Sequence, residues 1–353
     1  MRHGSHIDPP NRFERVSVHE DFEQLDGSDE QLTQPPRREI EYLPDQTQSI
    51  VTQNDSPDIP FRYSINPYRG CVHACAYCYA RNTHEYLGFN AGLDFETKIM
   101  VKHNAPALLR EHLNRKSWRG ETIVFSGVTD CYQPGERQYR LTQGCLQVAL
   151  EYQQSIGIIT KNALVLRDLS LLTEFASWGL VSVYFSINSL DVEFVRQLEP
   201  RTSIPTARLR AVEQLADAGI PVGVMVAPII PGLNDDQIPQ VLQAAKNAGA
   251  RAAGYILLRL PLTVRPVFEE WLQRTYPNRA EKVLGQLRQM RGGELNESQF
   301  KQRMVGHGPL AEHIRAMFKL FQTKLGLAGR LPEQDTSRFA VPKRAASQLR
   351  LFD

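Results

Sequence analysis

Short apolar, β-branched segments alternate with amphipathic segments through the middle of the chain. Each apolar segment predicts a strand that is buried on both faces, and each amphipathic segment predicts a helix with one buried face. The predicted strands cover residues 122–125, 156–160, 181–187, 221–227 and 252–258, after a short strand-like segment at 62–65. The predicted helices between them cover 137–154, 164–177, 204–218 and 236–248.

This alternation indicates an α/β fold, in which crossover helices cover a parallel sheet. About six such units are compatible with an open doubly wound sheet or with a complete or partial barrel. In each of these folds the chemistry belongs at the carboxyl ends of the strands. Beyond residue 260 the pattern becomes helical, at 264–274, 279–289 and 310–325, which predicts a helical cap over 261–328 on a core of 61–260.

Both ends of the chain lack this pattern. Residues 1–60 contain only 14 hydrophobic residues and seven prolines, so we expect a mostly extended segment without a core of its own. Within it, residues 40–43 are expected to lie against the body. Residues 329–353 are polar, basic and aperiodic, which predicts a flexible tail.

Composition narrows the class of protein. The 353 residues are 42% hydrophobic and 23% charged, as in ordinary globular proteins. No apolar run approaches the roughly 20 residues of a bilayer span, and the N-terminus lacks the apolar stretch of a signal peptide. We therefore expect a cytoplasmic protein with no membrane partner.

Charge is distributed unevenly along the chain. The formal net charge is +2, but residues 1–60 hold five Lys and Arg against thirteen Asp and Glu, a balance of −8, so the remainder carries +10. A basic body suits a polyanionic or phosphate-bearing partner, and the acidic leader could shield it. A solvated surface explains the same numbers.

Three of the five cysteines lie close together, in the segment N-P-Y-R-G-C-V-H-A-C-A-Y-C-Y at 66–79. Thiolates at the C-x3-C-x2-C spacing of Cys71, Cys75 and Cys78 can hold three irons of a [4Fe-4S] cluster and leave the fourth iron open for a ligand. Two alternatives are a zinc site completed by His73 and reduced structural cysteines.

This cysteine motif resembles that of the radical S-adenosylmethionine (SAM) superfamily. The resemblance implies a partial (β/α)6 barrel, a [4Fe-4S] cluster held by these three cysteines, and SAM bound to the open iron. It also implies reductive cleavage of SAM to a 5′-deoxyadenosyl radical that abstracts hydrogen from a substrate. An electron donor such as flavodoxin or ferredoxin is then required.

The same resemblance assigns SAM contacts to polar groups that follow four successive strands. Tyr77 would lie against the adenine, and the segment 124–130 stands where the superfamily binds the SAM amino group. The expected SAM-binding residues are Tyr77, Gly127, Thr129, Asp130, Lys161, Ser186, Asn188 and Pro228.

Within the superfamily, residues 61–260 resemble the spore photoproduct lyase-like group, which is often labelled DNA repair photolyases. The motifs are R-G-C-x3-C-x2-C-Y, T-D-x-Y-Q-P, I-T-K, F-S-I-N-S and V-A-P-I, with a further likeness at 291–304. Characterised members split a thymine lesion in DNA, and a cysteine thiol returns a hydrogen. Here Gly127 and Val128 stand where that thiol is expected. Cys131 and Tyr132 are the candidate catalytic residues, with packing as the alternative for Cys131.

Basic and aromatic residues near the cysteines fit a nucleic-acid substrate such as damaged DNA. The candidates for phosphate contact are Arg69, His73, Arg81 and Arg201, and those for base stacking are Tyr68, Tyr79 and Tyr132. Cys145 is expected in the core, and Arg259, Arg265, Arg274 and Arg288 are expected to be solvated.

Three functions follow from these observations. The first is a radical SAM enzyme that acts on a DNA lesion, and the second is the same chemistry on a peptide, an RNA or a small molecule. The third is a protein that binds zinc or nucleic acid without catalysis.

Overall fold

The computed structural model describes residues 3–14 and 38–342. Its strands are β1 Glu41–Pro44, β2 Val51–Gln53, β3 Tyr63–Ile65, β4 Tyr68–Arg69, β5 Lys98–Val101, β6 Ile123–Phe125, β7 Ile156–Thr160, β8 Val181–Ser186, β9 Val222–Ile229 and β10 Ala252–Leu257. Its helices are α1 Leu93–Thr97, α2 Ala105–Leu113, α3 Glu136–Tyr139, α4 Leu141–Glu151, α5 Leu169–Ser177, α6 Val192–Leu198, α7 Pro205–Asp217, α8 Ile238–Asn247, α9 Val264–Thr275, α10 Pro277–Gln289, α11 Gln302–Val305 and α12 Pro309–Lys324.

The main sheet has the strand order β10-β9-β8-β7-β6-β3-β2. Six neighbouring strands, from β3 to β10, run parallel, and β2 adds antiparallel to β3 at one edge. Because β2 and β10 stand at opposite ends of the order, the sheet stays open. The predicted α/β class with a partial (β/α)6 arrangement is confirmed.

The parallel strands are buried along their length, which explains their apolar sequences. Phe125, Ile158, Phe185 and Val224 sit on successive strands, and each is at most 1% exposed. Crossover helices cover such a sheet, and the burial of these strands shows that water is excluded from both of its faces. Because the six strands run parallel, all of them end at one edge, where the loops after them meet.

One predicted helix is broken in the structure. Residues 137–154 form α3 and α4, separated by Arg140 in a left-handed conformation with φ of 51°. The carboxylate of Glu136 accepts hydrogen bonds from the backbone N–H of Thr142 at 3.0 Å and of Gln143 at 3.3 Å. It thereby caps a second helix that hydrophobic periodicity cannot separate from the first.

The described N-terminal residues 3–14 form no helix or strand, but they make contacts with the body that the sequence does not predict. Residues 3–14 lie against the body, and His3, Ser5 and Asn11 are buried. Farther along, β1 pairs with β5 in a small sheet of order β1-β5-β4, so residues 40–43 lie on the body as expected. Polar contacts hold residues 3–14 against the body, and such contacts cannot be predicted from a hydropathy pattern. The acidic residues of 15–37 lie outside the described residues.

The C-terminal tail also differs from its prediction. The backbone N–H of Asp335 donates to the Gly179 carbonyl at 3.0 Å, and that of Ala340 donates to the Tyr152 carbonyl at 3.0 Å. Phe339 packs beside Gly120. Its ring stacks with that of Tyr152, with 6.5 Å between the two ring centres. Residues 335–340 are thus attached to the body, while 343–353 lie outside the described part of the chain.

Helices α9, α10 and α12 follow β10, as the sequence predicts. α12 packs on α8, and α9 packs on α10 and on the segment after the cysteines. Within residues 3–14 and 38–342, no helix has both the length and the apolar character needed to cross a bilayer.

Candidate active site

The cysteine loop follows β4 at the edge where the parallel strands end. Gly70 has a φ of +74°, and a Cβ there would lie 3.0 Å from the carbonyl oxygen of Phe95, so this position requires glycine. The next N–H, that of Cys71, donates to the same carbonyl at 2.9 Å. The N–H of Cys78 donates to the Cys75 carbonyl at 3.3 Å, which makes the loop a succession of tight turns.

The three thiols are free and sheltered. Cys71 and Cys75 are each 6% exposed, and Cys78 is partly exposed. Burial raises the pKa of Cys71 to about 12, and it also raises the pKa of Cys75 and Cys78. Iron binding must therefore displace protons from all three thiols, as it does at thiolate sites in general.

His73 is not available to complete a zinc site. Its Nδ1 lies 3.4 Å from a carboxylate oxygen of Asp130, and its Nε2 lies 3.0 Å from Asn162 Nδ2. Both ring nitrogens thus have protein partners. Among the described residues, no three His, Cys, Asp or Glu side chains are gathered around one point as a single ion requires. A cubane differs, because its ligands bind separate irons.

Asp130 and Thr129 shape the loops rather than stand free for SAM. The Asp130 carboxylate accepts hydrogen bonds from Thr160 Oγ1 and from the N–H of Lys161, both at 2.8 Å. Thr129 donates its hydroxyl to the Tyr68 carbonyl at 3.0 Å. These bonds join the loop after β6 to the loop after β7 and to β4.

Two groups at the same edge have unused binding capacity. Asn188 is 1% exposed, and its Oδ1 is buried without a hydrogen-bond partner in the described structure. Lys161 Nζ has no carboxylate within 4.0 Å in that part of the chain, although nearby Cys75 and Glu199 raise its pKa. An orphaned acceptor and a free ammonium suit a zwitterionic ligand that brings hydroxyl or ammonium donors and a carboxylate.

A buried network that the sequence analysis missed supports these groups. Glu199 accepts hydrogen bonds from the Tyr77 hydroxyl and from Arg208 Nη2, the latter at 2.5 Å. Arg208 also donates to the Ser186 carbonyl at 2.7 Å, and Asn188 Nδ2 lies 3.4 Å from Glu199. Three residues expected to contact SAM, Tyr77, Ser186 and Asn188, are therefore tied to one ion pair.

Pro228 belongs to the same edge through one asparagine. Asn234 Nδ2 donates to the Pro228 carbonyl at 3.1 Å and to the Asn188 carbonyl at 2.7 Å. The loop after β9 is thus fixed to the loop after β8. The structure brings together the expected residues after four successive strands.

The aromatic candidates separate by exposure. Tyr79 is 52% exposed, and its hydroxyl donates to the Gly127 carbonyl at 2.6 Å. Tyr68 and Tyr132 are fully buried, with hydroxyls bonded to Glu136 and Asp168. The prediction that Tyr68 and Tyr132 stack on a base is therefore wrong.

Cys131, the other candidate catalytic residue, is also fully buried. Its N–H donates to Ser126 Oγ at 2.8 Å, and its carbonyl accepts from Thr142 Oγ1 at 2.6 Å. Cys145 is buried in α4 as expected. The thiol of Cys131 is thus not presented at the surface of the site.

The arginines expected to contact phosphate are committed to the protein itself. Arg81 is fully buried and forms an ion pair with Glu96 at 2.6 Å. Arg69 pairs with Asp45 at 2.7 Å. Arg201 donates to the Val72 carbonyl at 3.2 Å. Spacing along the sequence does not show the carboxylates and carbonyls that the fold brings to these side chains. The prediction is wrong for Arg81, whereas Arg69 is 40% exposed and the Nε of Arg201 has no hydrogen-bond partner in the described structure, so for these two it stays a prediction.

Curated relatives match most of the core. An uncharacterized protein of Mycobacterium tuberculosis (strain H37Rv) is 42% identical over 221 residues, which cover 62% of this chain and 65% of that protein. An uncharacterized protein of Methanocaldococcus jannaschii is 30% identical over 223 residues, 63% of this chain and 79% of that one. The chain thus spans less than two thirds of the length of the mycobacterial relative.

Solved structures share the fold. Spore photoproduct lyase complexed with dinucleoside spore photoproduct superposes with a TM-score of 0.58 at 19% identity, over 80% of this chain and 79% of that one. A variant of the same enzyme with bound AdoMet and dinucleoside spore photoproduct gives 0.58 and 19%, over 80% and 78%. The radical SAM superfamily itself matches residues 65–245, half of the chain. The chain therefore belongs to the radical SAM superfamily, whose enzymes use a [4Fe-4S] cluster and SAM.

Proposed function

We propose that this protein cleaves SAM reductively at a [4Fe-4S] cluster held by Cys71, Cys75 and Cys78, and that the resulting radical abstracts hydrogen from a nucleic-acid substrate. The observation that carries the proposal is the Oδ1 of Asn188, which has no partner in the described structure, together with the Lys161 ammonium; Glu199 contacts Asn188 Nδ2 and acts electrostatically on Lys161. Both lie at the edge that holds the cysteine loop. A ligand with the charges of methionine satisfies both groups.

A [4Fe-4S] cluster held by Cys71, Cys75 and Cys78, once reduced by an external electron donor, would supply the one electron that cleaves the sulfonium of SAM to methionine and a 5′-deoxyadenosyl radical. The chain's own residues bind and orient. Lys161 pairs with the methionine carboxylate, and Asn188 Oδ1 accepts a hydrogen bond from a ribose hydroxyl or the ammonium. Tyr77, fixed by Glu199, and the backbone at Pro228 flank the adenine. Burial of these groups excludes water, which would otherwise weaken their electrostatic contacts.

A nucleic-acid substrate, damaged DNA in particular, is supported by three features. The fold is that of spore photoproduct lyase, which has been solved with a dinucleoside lesion. The chain beyond residue 60 carries a formal charge of +10. Tyr79, the residue after Cys78, exposes an aromatic face on which a base can stack.

The test is release of 5′-deoxyadenosine by anaerobically reconstituted, dithionite-reduced protein, with intact DNA, with ultraviolet-irradiated DNA and without DNA. We expect release in all three conditions and an increase with irradiated DNA. C75A should abolish both the cluster absorbance and release. C145A is the matched control, because it makes the same change in a buried cysteine of α4, and it should retain both. If iron-replete protein releases no 5′-deoxyadenosine, the proposal is refuted.

A second candidate keeps the chemistry and changes the substrate to a peptide, an RNA or a small molecule. It is favoured by the thiols: the two cysteines outside the cluster motif, Cys131 and Cys145, are both fully buried. Lesion reversal that uses a cysteine to return hydrogen requires a thiol within reach of the product. Release of 5′-deoxyadenosine that irradiated DNA leaves unchanged would support this second candidate.

A further inference from the structure

Arg259 lies at the same edge of the sheet as the candidate site. Among the described residues this cation has no anionic partner. It comes two residues after β10, at the edge where the parallel strands end. Its only hydrogen-bond partner in the described structure is a weak one, the sulfur of Met304 at 3.7 Å from Nη1. Its Nε is buried without a partner, and within the described residues no carboxylate lies within 4.0 Å of its guanidinium.

Two neighbouring arginines donate hydrogen bonds to oxygen acceptors by comparison, although the Nε of Arg291, like that of Arg259, is buried without a partner in the described structure. Arg303 donates to Asp58 at 2.5 Å and to Ser56 Oγ at 2.6 Å. Arg291, which is 2% exposed, donates to the Leu258 carbonyl at 2.5 Å and to the Arg303 carbonyl at 3.1 Å. The sequence motif at 291–304 therefore ties the end of β10 to the loop between β2 and β3. It adds positive charge without neutralising Arg259.

The electrostatic surroundings of Arg259 favour an anion. Burial lowers its pKa, and repulsion from Arg303 lowers it further, while Tyr79 and Asp58 act in the opposite direction. A bound anion would offset both the desolvation and the repulsion. A guanidinium suits phosphate in particular, because its planar fork can donate two hydrogen bonds to one phosphate.

Exposed aromatic side chains accompany this cation. Tyr79 lies within electrostatic range of Arg259 and is 52% exposed. Phe300 is 50% exposed, and the Arg303 guanidinium lies 4.5 Å from its ring centre. Proteins that bind single-stranded nucleic acid combine such cations, which contact the backbone, with aromatic faces on which bases stack.

We propose that Arg259 binds a phosphate group of the substrate, and that Tyr79 offers the adjacent stacking face. The inference rests on the proposed function, because it places the substrate phosphate next to the cluster and SAM. It deepens that function by assigning the phosphodiester contact to a residue of the loop after β10. The sequence predicts a solvated Arg259, whereas the side chain is partly buried in the structure.

The experiment measures binding of a fluorescent single-stranded oligodeoxynucleotide to reconstituted holoprotein over a range of salt concentrations. R259Q removes the charge, and R259K keeps the charge without the fork. R265Q is the control, because Arg265 is 49% exposed and pairs with Glu269 within α9. Iron content and melting temperature of each variant identify a protein that has not folded. If R259Q has not folded, R259K carries the test, because loss of the planar fork should itself weaken binding at low salt, and wild-type affinity in R259K would then overturn the inference.

We expect R259Q to weaken binding at low salt by about tenfold or more, as loss of a charge-assisted contact does. The slope of log K against log salt should become shallower by about 0.7, the value for one phosphate contact on a single strand. R259K should keep most of the slope, and R265Q should match the wild type. A structural role alone would not change the slope.

Competition by a mononucleotide separates the two sources of phosphate. If only the oligonucleotide binds through Arg259, the phosphate belongs to a strand; Arg259-dependent binding of the mononucleotide alone would assign a small phosphate ester. An unchanged slope in folded R259Q would overturn the inference and leave SAM cleavage untouched. Conversely, if binding depends on Arg259 but the wild type releases no 5′-deoxyadenosine, the proposed function is refuted and the phosphate contact is still supported.

Discussion

Arg81 holds the backbone of Cys75 from within the protein. Its Nε and Nη2 donate to the Cys75 carbonyl oxygen at 3.0 and 2.9 Å, and Nη2 also pairs with Glu96 at 2.6 Å. Nη1 donates to the carbonyls of Ala91 and Gly92 at 3.0 and 2.9 Å. The backbone of the middle cysteine of the motif is therefore held by Arg81, whose ion-pair partner Glu96 lies in α1.

We expect R81Q to lower the free energy of unfolding by about 3–5 kcal/mol, because it leaves Glu96 buried without its cation. Iron bound per chain after reconstitution should fall with it, since the Cys75 turn loses its anchor. Calorimetry and iron analysis are the measurements. R115Q is the control, because Arg115 is 48% exposed and pairs with Glu111 at 3.4 Å. Full iron loading of R81Q would contradict the anchoring role.

The N-terminal residues press on the same loop. A Cβ on Gly4 would lie 1.8 Å from the carbonyl oxygen of Ala74, a residue between Cys71 and Cys75. The N–H groups of Gly4 and Ser5 donate to Glu96 at 3.1 and 2.7 Å. G4A must therefore displace either this segment or the cysteine loop, at a cost of about 1–3 kcal/mol.

The expected result for G4A is a lower melting temperature and faster loss of cluster absorbance in air. G329A makes the same change where no atom lies within 4 Å, so its stability should stay within about 0.5 kcal/mol of the wild type. If both variants bleach at the wild-type rate, the segment plays no part in protecting the cluster.

Lys161 provides a test of the SAM site that does not need turnover. K161M removes the free ammonium while keeping a long apolar side chain, so affinity for SAM should fall about tenfold or more at unchanged iron content. Calorimetric titration of reconstituted holoprotein with SAM measures this. K116M is the control, because Lys116 is exposed in the turn after α2. Equal affinities would remove Lys161 from the site.

The main features of the fold follow from local sequence. Apolar strands of three to eight residues alternate with amphipathic helices, and this pattern is present in β6 to β10 with boundaries close to those predicted. The proposed cluster cysteines are equally local, since their spacing alone suggests the set of ligands. In both cases the informative residues lie within one element or one loop.

The missing parts depend on contacts between distant residues. His3 and Glu96 are 93 positions apart, and Glu199 meets Tyr77 across 122 positions. The carboxylates that occupy Arg69 and Arg81 likewise come from other elements. A single sequence shows the type of a charged residue but not its partner, so it cannot show that the fold uses Arg81 internally.

His84 makes the stability of the loop region dependent on pH. Its ring lies 5.1 Å from that of Phe89 and 5.6 Å from that of Phe95. Burial lowers its pKa from 6.5 to about 4, and of the nearby charges Asp94 opposes this shift while Lys98 adds to it. The folded protein therefore holds His84 neutral at pH values where the unfolded chain binds a proton.

The sign of the effect follows from this difference. Above pH 6.5 the imidazole is neutral in both states, and its contribution to stability is complete. As the pH falls from 6.5 to about 4, protonation of the unfolded chain lowers the free energy of unfolding by up to about 3 kcal/mol. Chemical denaturation between pH 7.5 and 4.5 should show a shallower decline in H84F than in the wild type. H313F, which changes an exposed histidine of α12, should decline like the wild type. Parallel curves for H84F and the wild type would mean that His84 is charged in the folded protein, or that the unfolding of this region does not limit the stability of the whole.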